Sequence, residues 1–357
     1  MDKNLKVAVA MSGGVDSGAC AVLVNQAGFE TVGATMRLYT PKDNSVPSHT
    51  EQDILDAKTI CDKLGIEHKV YDFGDEFYKR VIENFMQTYI SGGTPNPCIV
   101  CNKHLKFGAL LDAAIQDGAD KIATGHYAII EKDSSGRYLL RKAKDLSKDQ
   151  TYVLWSLDQR QLSHTLLPLG EYTKAEIREI AEQNNLVVAH KSDSQDICFV
   201  PDGDYASFIT RECGYISKPG DYIDMNGNVI GRHKGVIHYT IGQRKGLGIS
   251  MGKHIFVKEK NAEKNTVTLS DEEFIFSRKI VLKNINLIPF DKIDAPIRVE
   301  AKIRYSQKVC PAIAEQTGED EITLTFDTPQ RAAAIGQSAV MYDGDYLVGG
   351  GIITGAK

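Results

Sequence analysis

The chain has 357 residues, 42% apolar and 25% charged, with a formal net charge of −5. That length and composition predict two or three domains of ordinary soluble character with ample core. No apolar run approaches the roughly 20 residues that cross a bilayer, the first apolar run leads straight into glycines rather than a cleavage site, and the seven cysteines are odd in number and thinly spread; membrane-spanning, secreted and disulfide-scaffold classes are excluded, and a cytosolic protein is expected.

The first half alternates strand and helix. "KVAVAM" is a short apolar strand. "SGACAVLVNQAG" follows as a helix placing Cys20, Leu23, Val24 and Ala27 on one face, with Gly28 as its stop. "TVGATMRLY" and "HKVYDF" are strands on either side of a helix that buries Ile54, Ala57, Cys61 and Leu64. A helix from Asp75 ends at Gly92-Gly93; another begins near Asn102, and "KIATGHYA" reads as a strand. This order predicts a doubly wound parallel sheet, an α/β fold. "EKDSSGRY" marks a hairpin turn, and Thr173 and Glu176 have capping-box spacing. Beyond residue 206 short alternating runs separated by turns, including Asp343-Gly344, predict antiparallel β. The expected division is 1–206 α/β, 207–278 a small mixed domain, and 279–357 an antiparallel β-barrel.

The acidic net charge argues mildly against a nucleic-acid partner. Charge is uneven, however. From Met225 to Lys258 there is no acid, while Arg232, Lys234, Arg244, Lys245, Lys253 and Lys258 fall there, and "RKAKDLSK" (141–148) is a second basic stretch. Such patches bind phosphate backbones, although a single charge run is by default a solvated face.

"VAVAMSGGVDS" (7–17) leaves a strand, passes Gly13-Gly14 and enters a helix. Glycines expose backbone N–H groups, and the helix N-terminus favours an anion. The string is neither a Walker loop nor G-x-G-x-x-G. Asp16 beside phosphates implies an intervening Mg²⁺; Ser12 and Ser17 are hydroxyl donors.

Among the cysteines, Cys20, Cys61, Cys213 and Cys310 are expected to be structural. Cys98 and Cys101 follow Pro95-Asn96-Pro97 and precede Lys103, His104 and Lys106, where positive charge and a helix N-terminus lower a thiol pKa. Cys198 lies outside any apolar period. A zinc site lacks a second C-x₂-C pair, and a redox pair leaves the glycine loop unused. A nucleophile with a distant partner employs every feature.

"SGGVDS" resembles the loop of the N-type ATP pyrophosphatases, the PP-loop family, which cleave ATP between the α- and β-phosphates and adenylate a substrate oxygen. The resemblance implies an ATP site at Ala10, Met11, Ser12, Gly13, Gly14, Val15, Asp16 and Ser17, with Met36 on the adenine and Gly125 allowing close backbone approach. Across nearly the whole chain, "GGTPNPCIVCNKHLKFGALL", "ATGHYA", "KDQTYVLW", "SDSQDICFV", "HYTIGQRKGLGI" and "GGGII" resemble the tRNA-specific 2-thiouridylases. That family replaces the C2 oxygen of the wobble uridine of tRNA with sulfur, on acceptors for Lys, Glu and Gln. The resemblance implies that Cys198 carries a persulfide from a cysteine desulfurase or sulfur-relay protein, and that Cys101 is the second catalytic thiol, able to form a disulfide with it. It further implies that Asn96, Pro97 and Cys98 meet the target base, and that His126, Lys148, Asp149, Gln150, Arg304, Tyr305 and Gln337 contact tRNA. Alternation in "VEAKIRYS" puts Arg304 outward and Tyr305 on the apolar face.

In much of the bacterial family an Asp occupies the position of Cys98. Cys98 then serves proton transfer, or Cys98, Cys101 and Cys198 hold a [4Fe–4S] cluster with one iron open for sulfide. Two remoter readings are an amidating synthetase of the same loop class, and a cluster or zinc carrier without enzymatic activity.

Overall fold

The structure, a computed structural model, describes residues 5–39, 49–189, 191 and 197–357. It forms two compact units, one of Met1–Val81, Cys98–Gln195 and Gly344–Val348, the other of Ile82–Pro97, Asp196–Asp343 and Gly349–Lys357. Residues 192–196, which begin the "SDSQDICFV" string, lie outside the described residues.

The first unit is built on strands β1 (Lys6–Ala10), β2 (Glu30–Arg37), β3 (Glu67–Asp72), β4 (Lys121–Ala123) and β7 (Thr165–Leu166), with the hairpin β5 (Ile129–Lys132) and β6 (Tyr138–Arg141) preceding β7. The sheet runs β3-β2-β1-β4-β7, all neighbours parallel. Chain order reverses between β1 and β4, so a crevice opens beyond their C-terminal ends, where ligands of doubly wound sheets bind. The centre of β1 is buried on both faces, which explains its unbroken apolar run.

Helix α1 (Val15–Gln26) is buried on nearly every side of its first turns rather than along one stripe. Gly18, Ala19, Cys20 and Ala21 let it pack close to the sheet and to the helix Lys174–Gln183. Its expected face therefore stops short: Ala27 is the exposed C-cap. In α2 (His49–Leu64), Ala57, Ile60 and Cys61 enter the core, while Ile54 and Leu64 are half-buried. Gly33 on β2 makes room for Cys61, since a Cβ there would stand 2.3 Å from its sulfur. The strand expected over "KIATGHYA" ends at Ala123. Beyond it, Gly125 runs so close to α1 that a Cβ would lie 2.8 Å from the Asp16 carbonyl carbon.

In the second unit, helix Glu83–Ile90 packs Phe85 against Phe199 (ring centroids 5.2 Å) and Tyr205 (5.7 Å). A helix missed by the sequence reading, Tyr205–Cys213, adds Phe208; Asp204 caps it, accepting from Ser207 N–H. Four short strands follow: β8 (Gly220–Ile223), β9 (Val229–His233), β10 (Phe256–Asn261) and β11 (Thr266–Ser270). They form a sheet in the order β10-β11-β8-β9, with β11 and β8 parallel. The last six are β12 (Phe276–Leu287), β13 (Ile297–Lys302), β14 (Cys310–Gly318), β15 (Glu321–Arg331), β16 (Ser338–Asp343) and β17 (Tyr346–Ala356). They run β12-β15-β14-β13-β16-β17, and β12 pairs with β17 to close an antiparallel barrel. Closure leaves no open edge in these six strands. The β16–β17 turn has Gly344 at φ +56, as Asp-Gly there predicts. No helix among the described residues is long and apolar enough to cross a membrane.

The predicted capping box is present. Thr173 caps the helix Lys174–Gln183, and the Glu176 carboxylate accepts from the Thr173 N–H (2.6 Å). That backbone bond, then the Lys144 ammonium, hold the Glu176 carboxyl down to about 2. A depressed carboxyl contributes stability above its unfolded pKa, and loses it as pH falls through the folded value. Thr173→Ala is expected to cost about 1 kcal/mol in urea unfolding at pH 7, and Glu176→Gln to destabilise at pH 7 with the difference from wild type shrinking as pH is lowered from about 4 toward 2.

Candidate active site

The glycine loop sits at the mouth of the crevice. Met11 N–H bonds Ala34 O (2.9 Å) and fixes the loop to β2. Gly13 takes φ +66, and its α-carbon is pressed against Asp53 of α2, where a Cβ would lie 2.6 Å from the Asp53 carbonyl oxygen. Ser12 N–H donates to Ser17 Oγ (3.1 Å), which itself donates to Gly14 O (3.0 Å). The N-cap of α1 is Gly14, which has no side chain to accept from the first turn. The N–H groups of that turn are thus available to an anion. Met36 stands half-buried at the C-terminal end of β2.

Asp16 is tied down by residues that sequence reasoning missed. Lys174 Nζ donates to both carboxylate oxygens (2.7 and 2.9 Å), and Tyr127 OH donates to Oδ1 (2.8 Å). The Lys174 ammonium also lies 5.9 Å from the Tyr127 ring centroid. Lys174 is 158 positions from Asp16, so no local spacing could reveal the pair. Lys174 thus sets a positive charge directly against the Asp16 carboxylate. A second lysine, Lys191, donates to Gly13 O (3.1 Å), Asp53 (2.8 Å) and Asp56 (3.1 Å), joining the loop to α2.

Cys98 and Cys101 lie on a helix that starts at Pro97, five residues earlier than expected. Proline suits the first helical position because its missing N–H would be unpaired there. The helix then widens into a π-helical stretch, Asn102–Ala109. Gln161 Nε2 donates to the carbonyls of Lys103 and Phe107 (both 2.9 Å), and Asn102 Nδ2 to Val153 O (3.0 Å), fixing that stretch from outside. Cys98 is exposed and Cys101 buried. The expectation of a lowered thiol pKa fails for Cys98: partial desolvation by the surrounding loop pushes it up, outweighing the pull of the Lys106 ammonium. Burial likewise pushes Cys61 up to about 11 and Cys20 higher still, as structural thiols require. Cys213, expected to be structural, is exposed at the end of its helix, with its sulfur on Ile209 O.

Cys198 is exposed in the second unit, next to Phe199 of the aromatic cluster. His126 is buried: Nδ1 bonds Thr124 Oγ1 (2.7 Å), and burial pushes its pKa well down, so it is neutral. Asp149 accepts from Ala143 N–H and Gln150 from Tyr127 N–H, so these oxygens brace the backbone; Lys148 is half-buried beside them. Gln337 Nε2 donates to Thr94 O and Pro95 O. Arg304 Nη2 donates to Ala332 O. Tyr305 departs from the expected alternation: β13 ends at Lys302, and Tyr305 in the following turn is 46% exposed, its ring 5.6 Å from the Lys302 ammonium. Among the described residues no three His, Cys, Asp or Glu side chains are assembled to hold a metal ion.

Residues 5–202 match the family model described as the tRNA methyl transferase HUP domain, 207–271 its PRC-barrel domain, and 277–353 the aminomethyltransferase beta-barrel domain. The tRNA-specific 2-thiouridylase MnmA of Clostridioides difficile (strain 630) is 48% identical over 359 residues, covering 99% of each chain. This chain belongs to the tRNA-specific 2-thiouridylase family. The 2-thiouridylase of Clostridium acetobutylicum is 48% identical over 98% of this chain and 99% of its own. That of Acetivibrio thermocellus is 47% identical with the same coverage. Among solved structures, an NMN synthetase from Francisella tularensis aligns over 54% of this chain and 66% of its own, at 19% identity and TM-score 0.33. A 4-thiouridine synthetase–RNA complex with bound ATP aligns over 52% of this chain and 42% of its own, at 16% identity and TM-score 0.32.

A raised pKa leaves less thiolate at neutral pH. Cys98 should therefore react with iodoacetamide at pH 7 more slowly than an unperturbed exposed thiol. Lys106→Met removes the opposing charge and should slow it further; peptide mass spectrometry reads both.

Proposed function

We propose that this protein performs the ATP-dependent 2-thiolation of the wobble uridine of tRNA, on Lys, Glu and Gln acceptors, in the reducing cytosol. The observation that carries the reading is an anion-ready helix N-terminus at the sheet's switch point, in a chain that aligns end to end with 2-thiouridylases. Methyl transfer, which the names of the matched models evoke, gives the glycine loop and the placed thiols no work. Residues 1–206 would bind Mg·ATP and hold the Cys98–Cys101 helix, with 207–278 and 279–357 supporting tRNA.

In the proposed sequence the uridine C2 oxygen attacks the α-phosphorus, and pyrophosphate leaves toward the N–H groups of α1. Lys174 offsets Asp16, so that the loop presents no net negative charge to the phosphates. The terminal sulfur of a Cys198 persulfide attacks C2, and AMP departs with the former C2 oxygen. The Cys101 thiolate then attacks the Cys198 sulfur. The sulfur–sulfur bond breaks, sulfur stays on C2, and an external dithiol reduces the resulting Cys101–Cys198 disulfide. Cys98, kept protonated by its raised pKa, takes the proton-donor place that an Asp holds in relatives. Asn96 and Pro97 would meet the base.

The test supplies purified protein with ATP, Mg²⁺, a persulfide donor and an unmodified wobble-uridine tRNA, and measures 2-thiouridine by nucleoside mass spectrometry. No thiolated nucleoside under these conditions would overturn the reading. Cys101→Ser and Cys198→Ser should each lose more than about 100-fold in rate. Cys98→Asp should stay within about tenfold of wild type while Cys98→Ala falls further, the usual range for losing an acid–base group being about 10²–10⁴. Lys174→Met should lower kcat/KM for ATP by about 100-fold with tRNA binding unchanged.

A further inference from the structure

The loop that leads into Asn96 and Pro97 is held by side chains from elsewhere in its unit. Pro95 and Pro97 carry no N–H, which leaves the loop short of backbone donors, and its carbonyls draw on outside ones. Three successive carbonyls receive them from two side chains. Lys260 Nζ donates to Gly93 O (3.2 Å), and Gln337 Nε2 donates to Thr94 O (3.2 Å) and Pro95 O (3.0 Å). Thr94 N–H completes the seat by donating to Ile335 O (2.8 Å). The fit is close. A Cβ on Gly93 would meet Thr88 Cγ2 at 2.8 Å, and one on Gly336, at φ +91, would lie 3.0 Å from Thr94 O.

Lys260 is placed at a cost that its neighbours do not offset with charge. It lies on β10 opposite Val267, half-buried, with its ammonium 6.0 Å from the Tyr89 ring centroid. Its second bond is to Tyr239 O (2.8 Å). Among the described residues no carboxylate pairs with it, and burial pushes its pKa down to about 8. A lysine withdrawn from water and aimed at two carbonyls gains geometry rather than ion pairing.

We infer that Lys260 is a positioning residue: with Gln337 it grips the carbonyl row Gly93–Pro95 and so sets where Asn96 and Pro97 stand for the target base. The inference rests on the proposed base-contact role of Asn96–Cys98. It also gives Gln337 work inside the protein, through its amide nitrogen, beyond any contact with tRNA.

The experiment compares Lys260→Met, Gln337→Met and the double variant in the full chain. Amide hydrogen exchange is read on the peptide spanning 91–101, and single-turnover thiolation is measured alongside the KM for ATP and the Tm. Lys260→Met should speed exchange at Thr94 at least tenfold and slow thiolation at least tenfold, since a small misplacement near a reacting centre can cost about 100-fold. The KM for ATP should stay within twofold, and the Tm should remain close to wild type. Because both side chains act through one loop, the double variant should be little worse than the weaker single. Unchanged exchange, or single effects that multiply in the double variant, would overturn the inference. Faster exchange with undiminished thiolation would also overturn it, by separating the loop from the base. Should Lys260→Met fail to fold, Lys260→Arg, which keeps donors at similar reach, is measured in its place, with exchange faster than wild type by less than threefold as the supporting result and full loosening as the contrary one. If the wild-type protein adds no sulfur, the proposed function falls, while exchange alone still decides whether Lys260 holds the loop.

Discussion

The first unit depends on a charge problem solved at Asp16. A carboxylate at the start of α1 is favoured by the helix dipole, yet it stands in the loop expected to receive phosphates. Lys174 resolves the conflict, bonding both carboxylate oxygens while 11% exposed, against 32% for Asp16. An ion pair this sheltered is sensitive to the loss of either partner, because the survivor keeps a partly desolvated charge. Everything around it serves the pairing. The capping box fixes the first turn that carries Lys174. Asp145 accepts the Lys174 backbone N–H (3.1 Å), and Tyr127 adds its hydroxyl from the segment after β4. Gly125 is glycine because that segment passes against the backbone of Asp16 itself.

The cysteines show how one side chain takes different roles from its surroundings. Cys20 and Cys61 are sealed in the α1–α2 core, where burial keeps them as thiols. Cys101 is buried one helical turn from the exposed Cys98, at the entrance of a helix whose next eight residues are widened. Gln161 and Asn102 add side-chain bonds to that widened stretch, a geometry often found beside functional positions. At Cys98 the Lys106 ammonium works against desolvation, and desolvation is the larger effect.

The second unit handles its critical loop by a related means. A proline-rich segment is short of backbone donors, and its carbonyls draw on the side chains of Lys260 and Gln337. The aromatic cluster of Phe85, Phe199, Tyr205 and Phe208 supplies apolar burial alongside. The residue next to Cys198 is thus fixed by packing while the thiol itself stays at the surface.

Local sequence determined the elements and the chemistry of the loop. Apolar runs and glycines placed β1, α1 and the phosphate loop; Thr173 and Glu176 announced their capping box; Asp343-Gly344 announced its turn; and the strings around Cys98, Cys101 and Cys198 carried the family. These signals act over a few residues, where period, propensity and backbone freedom are written directly in the chain. Tertiary structure alone decided that Lys174 faces Asp16, that Lys191 joins Gly13 to α2, and that Gln161 braces the cysteine helix. It also decided that the Cys98 thiol is raised and that Tyr305 points to solvent once β13 has ended. The reason is physical: a pair separated by 158 residues leaves no period in the sequence, and desolvation is a property of everything packed around a group rather than of its neighbours in the chain.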